Sequence, residues 1–393
     1  MLKVFTLKKL FENTEIAFAI KSDSELERAY FLFKMIQKEP LVRIGTAVTN
    51  FALNAHLPVE RLIRSTVFDH FCGGVTEEDC IPTIDKMYTK NVHSVLDYSV
   101  EGKEIEEQFD FSMQKILKIL DFCKEKNSIP FAVFKPTGFG RFKLYQKISL
   151  NQELTIDEIN EWTRVVDRFD KVCAAASEKN VPLLIDAEES WIQDAADNLI
   201  EKMMEKYNKD KAIIYNTLQM YRWDRMDYLK SLHQRAKENN FYIGLKIVRG
   251  AYMEKERERA EELGYKSPIC IDKKATDDNY NEALKFMADH DKVAIFAGTH
   301  NEESSYLLME LAKRHGLIEN DSRLWFGQLY GMSDHITFNL AKEGYNVAKY
   351  LPFGPVRDVM PYLIRRAEEN TSVAGQTSRE LNLLNTERKR RKL

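Results

Sequence analysis

The 393-residue chain is short of cysteine, of long apolar runs and of net charge, and each shortage removes a class of protein. Its five cysteines, Cys72, Cys80, Cys123, Cys173 and Cys270, are scattered and odd in number. They build neither a disulfide framework nor a metal site, and they fit a reducing compartment. No apolar stretch approaches the length of a membrane span. A net charge of −3 gives no global attraction for nucleic acid. Glycine signatures are missing too: Gly138-Phe139-Gly140 is only a GxG, so a Rossmann cofactor fold is not expected. There is no P-loop, HExxH, paired CxxC or GxSxG elbow. Met1 to Leu10 is mildly basic, but Glu12 and Glu15 come next and no small-residue cleavage site appears. That argues against a signal peptide and, more weakly, against a mitochondrial transit peptide, so the chain reads as cytoplasmic.

What is present supports a full-sized core, with 44% hydrophobic and 11% aromatic residues. Residues 1–90 read as a helical region packing on the remainder of the chain. Glu25 to Gln37 is amphipathic, with Leu26, Tyr30, Phe31, Phe33 and Met35 among charges, and Ile44–His56 and Val59–Val67 continue the helical pattern. From residue 94 short apolar runs recur, each succeeded by a charged helical stretch. They are Ser94–Val100, Phe131–Thr137, Pro182–Glu188, Ala212–Gln219, Ile243–Tyr252, Val293–His300, Leu324–Gly331 and Val347–Gly354. Such runs indicate parallel strands buried on both faces. Eight strand–helix units match an α/β fold of the (β/α)8 TIM-barrel type over residues 91–372, with a doubly wound open sheet as the competing architecture. Val356 to Asn370 would be the last barrel helix. Residues 373–393 read as a frayed, polar, basic tail ending in Arg388-Lys389-Arg390-Arg391-Lys392.

In such a barrel, function sits where strands end at the C-terminal face. Those ends carry Glu101, Lys135, Asp186, Gln219, Lys246 with Arg249 and Tyr252, His300, Leu329 and Tyr350. Lys246 and Arg249 lie on a buried run and need anionic partners. Beside Gly250 they suit a diphosphate or an electron-rich ring; the alternative is pairing with carboxylates such as Asp186 or Glu188. Tyr362, Arg365, Arg366 and Glu369 share one helix face. Paired arginines there match a substrate carboxylate in fork geometry, although spacing alone favours a solvated face with ion pairs. His300 reads as a hydrogen-bonding group, with no neighbouring metal ligands.

These segments resemble the proline dehydrogenase family, including the dehydrogenase domain of the PutA proteins. The resemblance rests on Ile185-Asp186-Ala187-Glu188, Gln219, Lys246-Ile247-Val248-Arg249-Gly250-Ala251-Tyr252 and Thr299-His300-Asn301. It continues through Leu329-Tyr330-Gly331-Met332, Tyr350-Leu351-Pro352 with Gly354, and Tyr362-Leu363-Ile364-Arg365-Arg366, in family order. It implies FAD at the mouth of a distorted barrel. The cofactor set would be Gln219, Lys246, Val248, Arg249, Gly250, Ala251, Thr299, His300 and Asn301, with Lys246 or Arg249 near flavin N5. Lys135, Arg365 and Arg366 resemble a clamp on the L-proline carboxylate; Tyr252, Leu329 and Tyr350 resemble walls around its ring. Glu101 is similar to a gate carboxylate paired with the first arginine, Asp186 to a residue behind the flavin, and Glu369 to a supporting carboxylate.

The implied reaction is hydride transfer from proline C5 to flavin N5, giving Δ1-pyrroline-5-carboxylate, with electrons passed on to a quinone. A quinone implies transient contact with a membrane surface, for a bacterial protein the inner face of the inner membrane, and the basic tail could assist by attraction to anionic lipid. Many bacterial members read Arg-x-Val-Lys-Gly-Ala-Tyr where this chain has Lys246-x-Val248-Arg249-Gly250-Ala251-Tyr252, an order similar to the mitochondrial type. Tyr350 resembles the residue that crowds a ring hydroxyl, which counts against hydroxyproline as substrate. Two alternatives stay open: an FAD barrel of the methylenetetrahydrofolate reductase kind, and a Schiff-base aldolase built on Lys135.

Overall fold

The computed structural model describes residues 9–38, 63–98, 104–372 and 376–393, with backbone alone at residues 65, 367–372 and 376. The helix expected over Ile44–His56 lies outside the described residues. Helix α1 (Asp23–Ile36) opens on a reciprocal capping box between Ser22 and Glu25. It buries Leu26, Ala29, Phe33 and Ile36, a stripe at helical spacing, while Phe31 and Met35 face solvent. Helix α2 (Glu77–Tyr88) leads into β1 (Val92–Tyr98), and from there strands and helices alternate. The first half continues with α3 (Glu106–Glu125), β2 (Phe131–Phe134), α4 (Phe142–Ser149), α5 (Ile156–Lys179), β3 (Leu183–Ile185), α6 (Ser190–Tyr207) and β4 (Ile214–Gln219). After α7 (Arg225–Glu238) come β5 (Ile243–Val248), α8 (Met253–Leu263), α9 (Lys273–Ala288), β6 (Val293–Gly298) and α10 (Glu302–Arg314). The chain ends with β7 (Leu324–Leu329), α11 (Asp334–Lys342), β8 (Val347–Phe353), α12 (Val356–Ser372) and α13 (Gln376–Arg391).

The eight strands close into a parallel barrel in chain order, β8 pairing back onto β1 with Val92 opposite Val347. This is the (β/α)8 architecture, and the open sheet is excluded. Each apolar run became a strand starting within two residues of its expected position. The runs overshoot at their far ends: Ile243–Tyr252 leaves the sheet after Val248, because the polar residues beyond belong to the loops of the barrel's C-terminal face. All six residues of β4 and all seven of β8 are buried, so neither strand has a solvent face, and Asn216, Thr217 and Gln219 of β4 are buried polar residues.

By its internal contacts the chain falls into two units, Met1–Val100 with Gly327–Leu393, and Glu101–Phe326. In the second unit Phe131, at the start of β2, meets Tyr215, Phe296 and Trp325 edge to face at 5.7, 5.2 and 5.0 Å. Three of these rings come from β2, β4 and β6, the alternate-strand layering that fills barrels of this kind. In the first unit, α12 packs Val359, Met360 and Leu363 against Phe68 and Phe71.

The C-terminal segment is not the frayed tail its composition suggested. Over Gln376–Arg391 it is helix α13, whose Leu383 and Leu384 join Leu26, Ala29 and Phe33 of α1 in one apolar cluster. Its arginines are consumed locally. Arg388 pairs with Glu27 at 2.5 Å over the Tyr30 ring, and Arg391 reaches Asp23, Glu387 and the carbonyls of Phe18 and Lys21. The sequence reading passed over Leu383 and Leu384, whose burial depends on the facing helix α1.

Candidate active site

In the second unit the ends of β2, β3, β4 and β5 bring four of the expected residues, Lys246, Asp186, Gln219 and Ala251, into two hydrogen-bonded groups. Lys246 is buried on β5, and its ammonium pairs with Asp186, just past β3, at 2.5 Å. Asp186 is itself fixed by its N–H donating to the Phe134 carbonyl at 2.9 Å. Gln219, the last residue of β4, donates to the Glu188 carbonyl at 2.6 Å and accepts from the Ala251 N–H at 3.4 Å. The Glu188 carboxylate accepts from Thr137 twice, from its hydroxyl at 2.6 Å and its N–H at 3.0 Å. Burial pushes the Glu188 carboxyl up to about 7, against the pull of those two bonds.

Arg249 turns toward the helices instead. Its guanidinium donates to Asp277 of α9 at 2.6 Å, to the Thr299 hydroxyl at 2.7 Å and to Ser304 at 3.0 Å, and it lies 4.5 Å over the Tyr280 ring. Burial alone would raise Asp277, but hydrogen bonds from Lys273 and Arg249 hold it below its ordinary value. Gly250 sits at φ +134°, and a Cβ there would meet the Tyr221 ring at 2.6 Å, so this turn requires glycine. Thr299 also accepts from the Asn301 N–H at 3.1 Å, and the Asn301 side chain caps α10 by accepting from Ser304 N–H. His300 stands between them, partly buried.

In the first unit Leu329 ends β7, Tyr350 is buried on β8, and Arg365 and Arg366 lie on α12. Arg366 is 6% exposed and stacks 5.2 Å over the Tyr362 ring, so this face is not the solvated one that spacing alone favoured. Arg365 is partly buried. Glu101 and the side chain of Glu369 lie outside the described residues. Lys349, which sequence reading passed over, is fully buried on β8 next to Tyr350. Its ammonium pairs with Asp334 at 2.9 Å and donates to the carbonyls of Leu329 and Met332, holding the turn after β7. A lysine inside an otherwise apolar strand was the available signal.

The donor chemistry fits an anionic cofactor edged with hydrogen-bond acceptors. Lys246 and Arg249 place two cations at the end of β5, and α10 begins on the loop just past β6. Among the described residues no cluster of three or more His, Cys, Asp or Glu side chains is placed to hold a metal ion. The five cysteines are all free and buried.

A sequence profile described as proline dehydrogenase matches residues 80–379 of the chain. The chain belongs to the proline dehydrogenase family. It is 38% identical over 330 residues to the carbapenem antibiotics biosynthesis protein CarD of Pectobacterium carotovorum subsp. carotovorum, covering 83% of this chain and 85% of that protein. It is 32% identical over 377 residues to proline dehydrogenase 2, mitochondrial, of Arabidopsis thaliana, covering 85% and 79%. Among solved structures, PutA from Bdellovibrio bacteriovorus inactivated by N-propargylglycine superposes with a TM-score of 0.75 over 96% of this chain, at 17% identity. The chain spans 43% of that PutA chain, and at this identity the likeness speaks to the fold.

Within the family's motifs, Lys246 pairs with Asp186, the alternative that sequence reading had set against cofactor contact. Arg249 takes Asp277, a partner that sequence reading did not name. Thr137 closed one expected strand run and Glu188 one family segment, yet their contact across 51 positions was not visible in one dimension.

Proposed function

We propose that this protein oxidises L-proline to Δ1-pyrroline-5-carboxylate with FAD as its cofactor. The observation that carries the reading is the family match across residues 80–379, which includes every strand of the barrel. FAD, when bound, supplies the acceptor for the hydride that leaves ring C5. Gln219, Lys246, Val248, Arg249, Gly250, Ala251, Thr299, His300 and Asn301 are the residues we assign to hold it. In this reading Asp186 neutralises the buried Lys246 ammonium, so that a cation stays beside the cofactor without an unpaired charge in the barrel. On the resemblance alone we assign Lys135, Arg365 and Arg366 to the proline carboxylate, and Tyr252, Leu329 and Tyr350 to its ring. Their contribution is chiefly orientation, since holding C5 in line replaces a bimolecular encounter.

Electrons would then pass to a quinone at a membrane surface, for a bacterial protein the inner face of the inner membrane. No described helix is long and apolar enough to cross a membrane. The ion-paired arginines of α13 leave less charge for lipid than the tail composition promised.

The deciding experiment is an absorbance spectrum of the purified protein, recorded before and after L-proline is added without oxygen. Flavin bands that bleach with proline, but not with NADPH, support the reading. A flavin spectrum unmoved by proline overturns the substrate, and absence of flavin after soaking with FAD overturns the cofactor.

A further inference from the structure

The turn that carries Lys135 has no cap of its own. After β2 the chain makes a single 3-10 turn, Pro136–Gly138, with Lys135 at its N-cap position and no side chain of that position bonded to the turn. The half-buried N–H of Thr137 has no partner within so short a turn and is of the kind a capping oxygen normally satisfies. Glu188, from the loop after β3, takes that place in trans, binding both the N–H and the hydroxyl of Thr137. Glu188 is held from two further directions, one of them anchored in turn. Its N–H donates to Gln193 at 3.1 Å, its carbonyl accepts from Gln219 at 2.6 Å, and Gln193 is anchored by donating to Asp197 at 2.8 Å. On the opposite side of the turn the buried Tyr145 hydroxyl donates to the Pro136 carbonyl at 2.8 Å. Glu188, Gln193 and Gln219 are all buried, so these bonds are shielded from competing water.

We propose that Glu188 is a positioning residue for the substrate carboxylate, fixing the Lys135–Thr137 turn so that Lys135 meets its target from a set place. The inference rests on the proposed proline oxidation and on Lys135 as part of the carboxylate clamp. Lys135 also acts on Glu188 directly, its charge pulling the Glu188 carboxyl down against the effect of burial. A second consequence is that the ends of β2, β3 and β4 respond as one body, because Glu188 bonds to residues just past β2 and ending β4.

The test is a double-mutant cycle in steady-state proline oxidation with an artificial electron acceptor, using Glu188→Ala, Lys135→Met and the pair. Glu188→Ala should raise the proline KM about tenfold while kcat changes by less than about threefold, a positioning loss and not a chemical one. In the Lys135→Met background the same change should add nothing, and L-prolinamide, which has no carboxylate, should be turned over equally by wild type and Glu188→Ala. Glu188→Gln should recover most of the loss, since its amide oxygen can accept from the Thr137 N–H and its amide nitrogen can donate to the hydroxyl. An unchanged KM in Glu188→Ala, or an equal rise in the Lys135→Met background, overturns the proposal. If Glu188→Ala does not fold, Thr137→Val removes the hydroxyl contact in the same cycle, and strict additivity with Lys135→Met is the overturning result. A wild-type protein that does not oxidise proline at all marks failure of the functional reading itself, and the inference falls with it.

Discussion

At the scale of single residues, the protonation of Glu188 gives a measurable signature apart from catalysis. Its carboxyl is raised by burial from 4.5 to about 7, so the folded protein holds this proton more tightly than the unfolded chain does. Folding stability from this group is therefore full below the unfolded value and lost as pH rises toward 7. Glu188→Gln should leave stability nearly unchanged at pH 4.5 and raise it by about 2–3 kcal/mol at pH 8. Urea unfolding at the two pH values checks this, and a constant difference would contradict the assigned shift. The arginines of α12 separate by environment in the same way. Arg366 is buried against Tyr362, so its loss removes packing as well as charge. Arg365 is the cleaner probe: Arg365→Met should raise the proline KM about a hundredfold with flavin retained, because a forked cation on a carboxylate has no apolar substitute. Titration of proline against a flavin-normalised rate reads both quantities, and an unchanged KM would remove Arg365 from the clamp.

At the scale of elements, the C-terminal helix carries a prediction that composition would have reversed. Helix α13 presents Leu383 and Leu384, 4% and 1% exposed, to α1, and also sends the buried Glu380 to the Ser333 N–H beyond β7. Leu384→Ala should cost about 2–4 kcal/mol through cavity formation. Lys389→Met, removing an exposed member of the basic run, should change stability by less than about 0.5 kcal/mol. Thermal unfolding of the two variants side by side distinguishes a packed helix from a solubilising tail, which would tolerate both. The turn after β5 is an element of the opposite kind, legible at once. Gly250 at φ +134° with the Tyr221 ring behind it is the reason the motif needs a glycine.

At the scale of the whole molecule, the first unit is knit from distant parts of the sequence around one buried carboxylate. Asp334 pairs with Lys21 at 3.1 Å and with Lys349 at 2.9 Å. Burial alone would raise Asp334, but the two ammonium groups hold it far below the usual carboxylate range. That contribution is present above the ordinary carboxylate value and disappears as pH falls through the lowered one. Asp334→Asn leaves two cations without their anion and should cost about 3–5 kcal/mol, whereas adding Lys349→Met should recover part of it. Equilibrium urea unfolding at neutral pH is the check, and equal losses in the single and double variants would refute the coupling. The sequence by itself determined the eight strands, because parallel strands covered on both faces must be written as apolar runs, and it marked the strand ends by breaking those runs with charge. Side-chain motif order was also enough to point to the family. Only the tertiary structure decided which charge answers which: Asp186 for Lys246, Asp277 for Arg249, Asp334 for Lys349. Pairing energy depends on distance and burial, and neither has a counterpart along the chain. For the same reason a basic C-terminal segment with two leucines could be read as a tail until a facing helix gave those leucines somewhere to be buried.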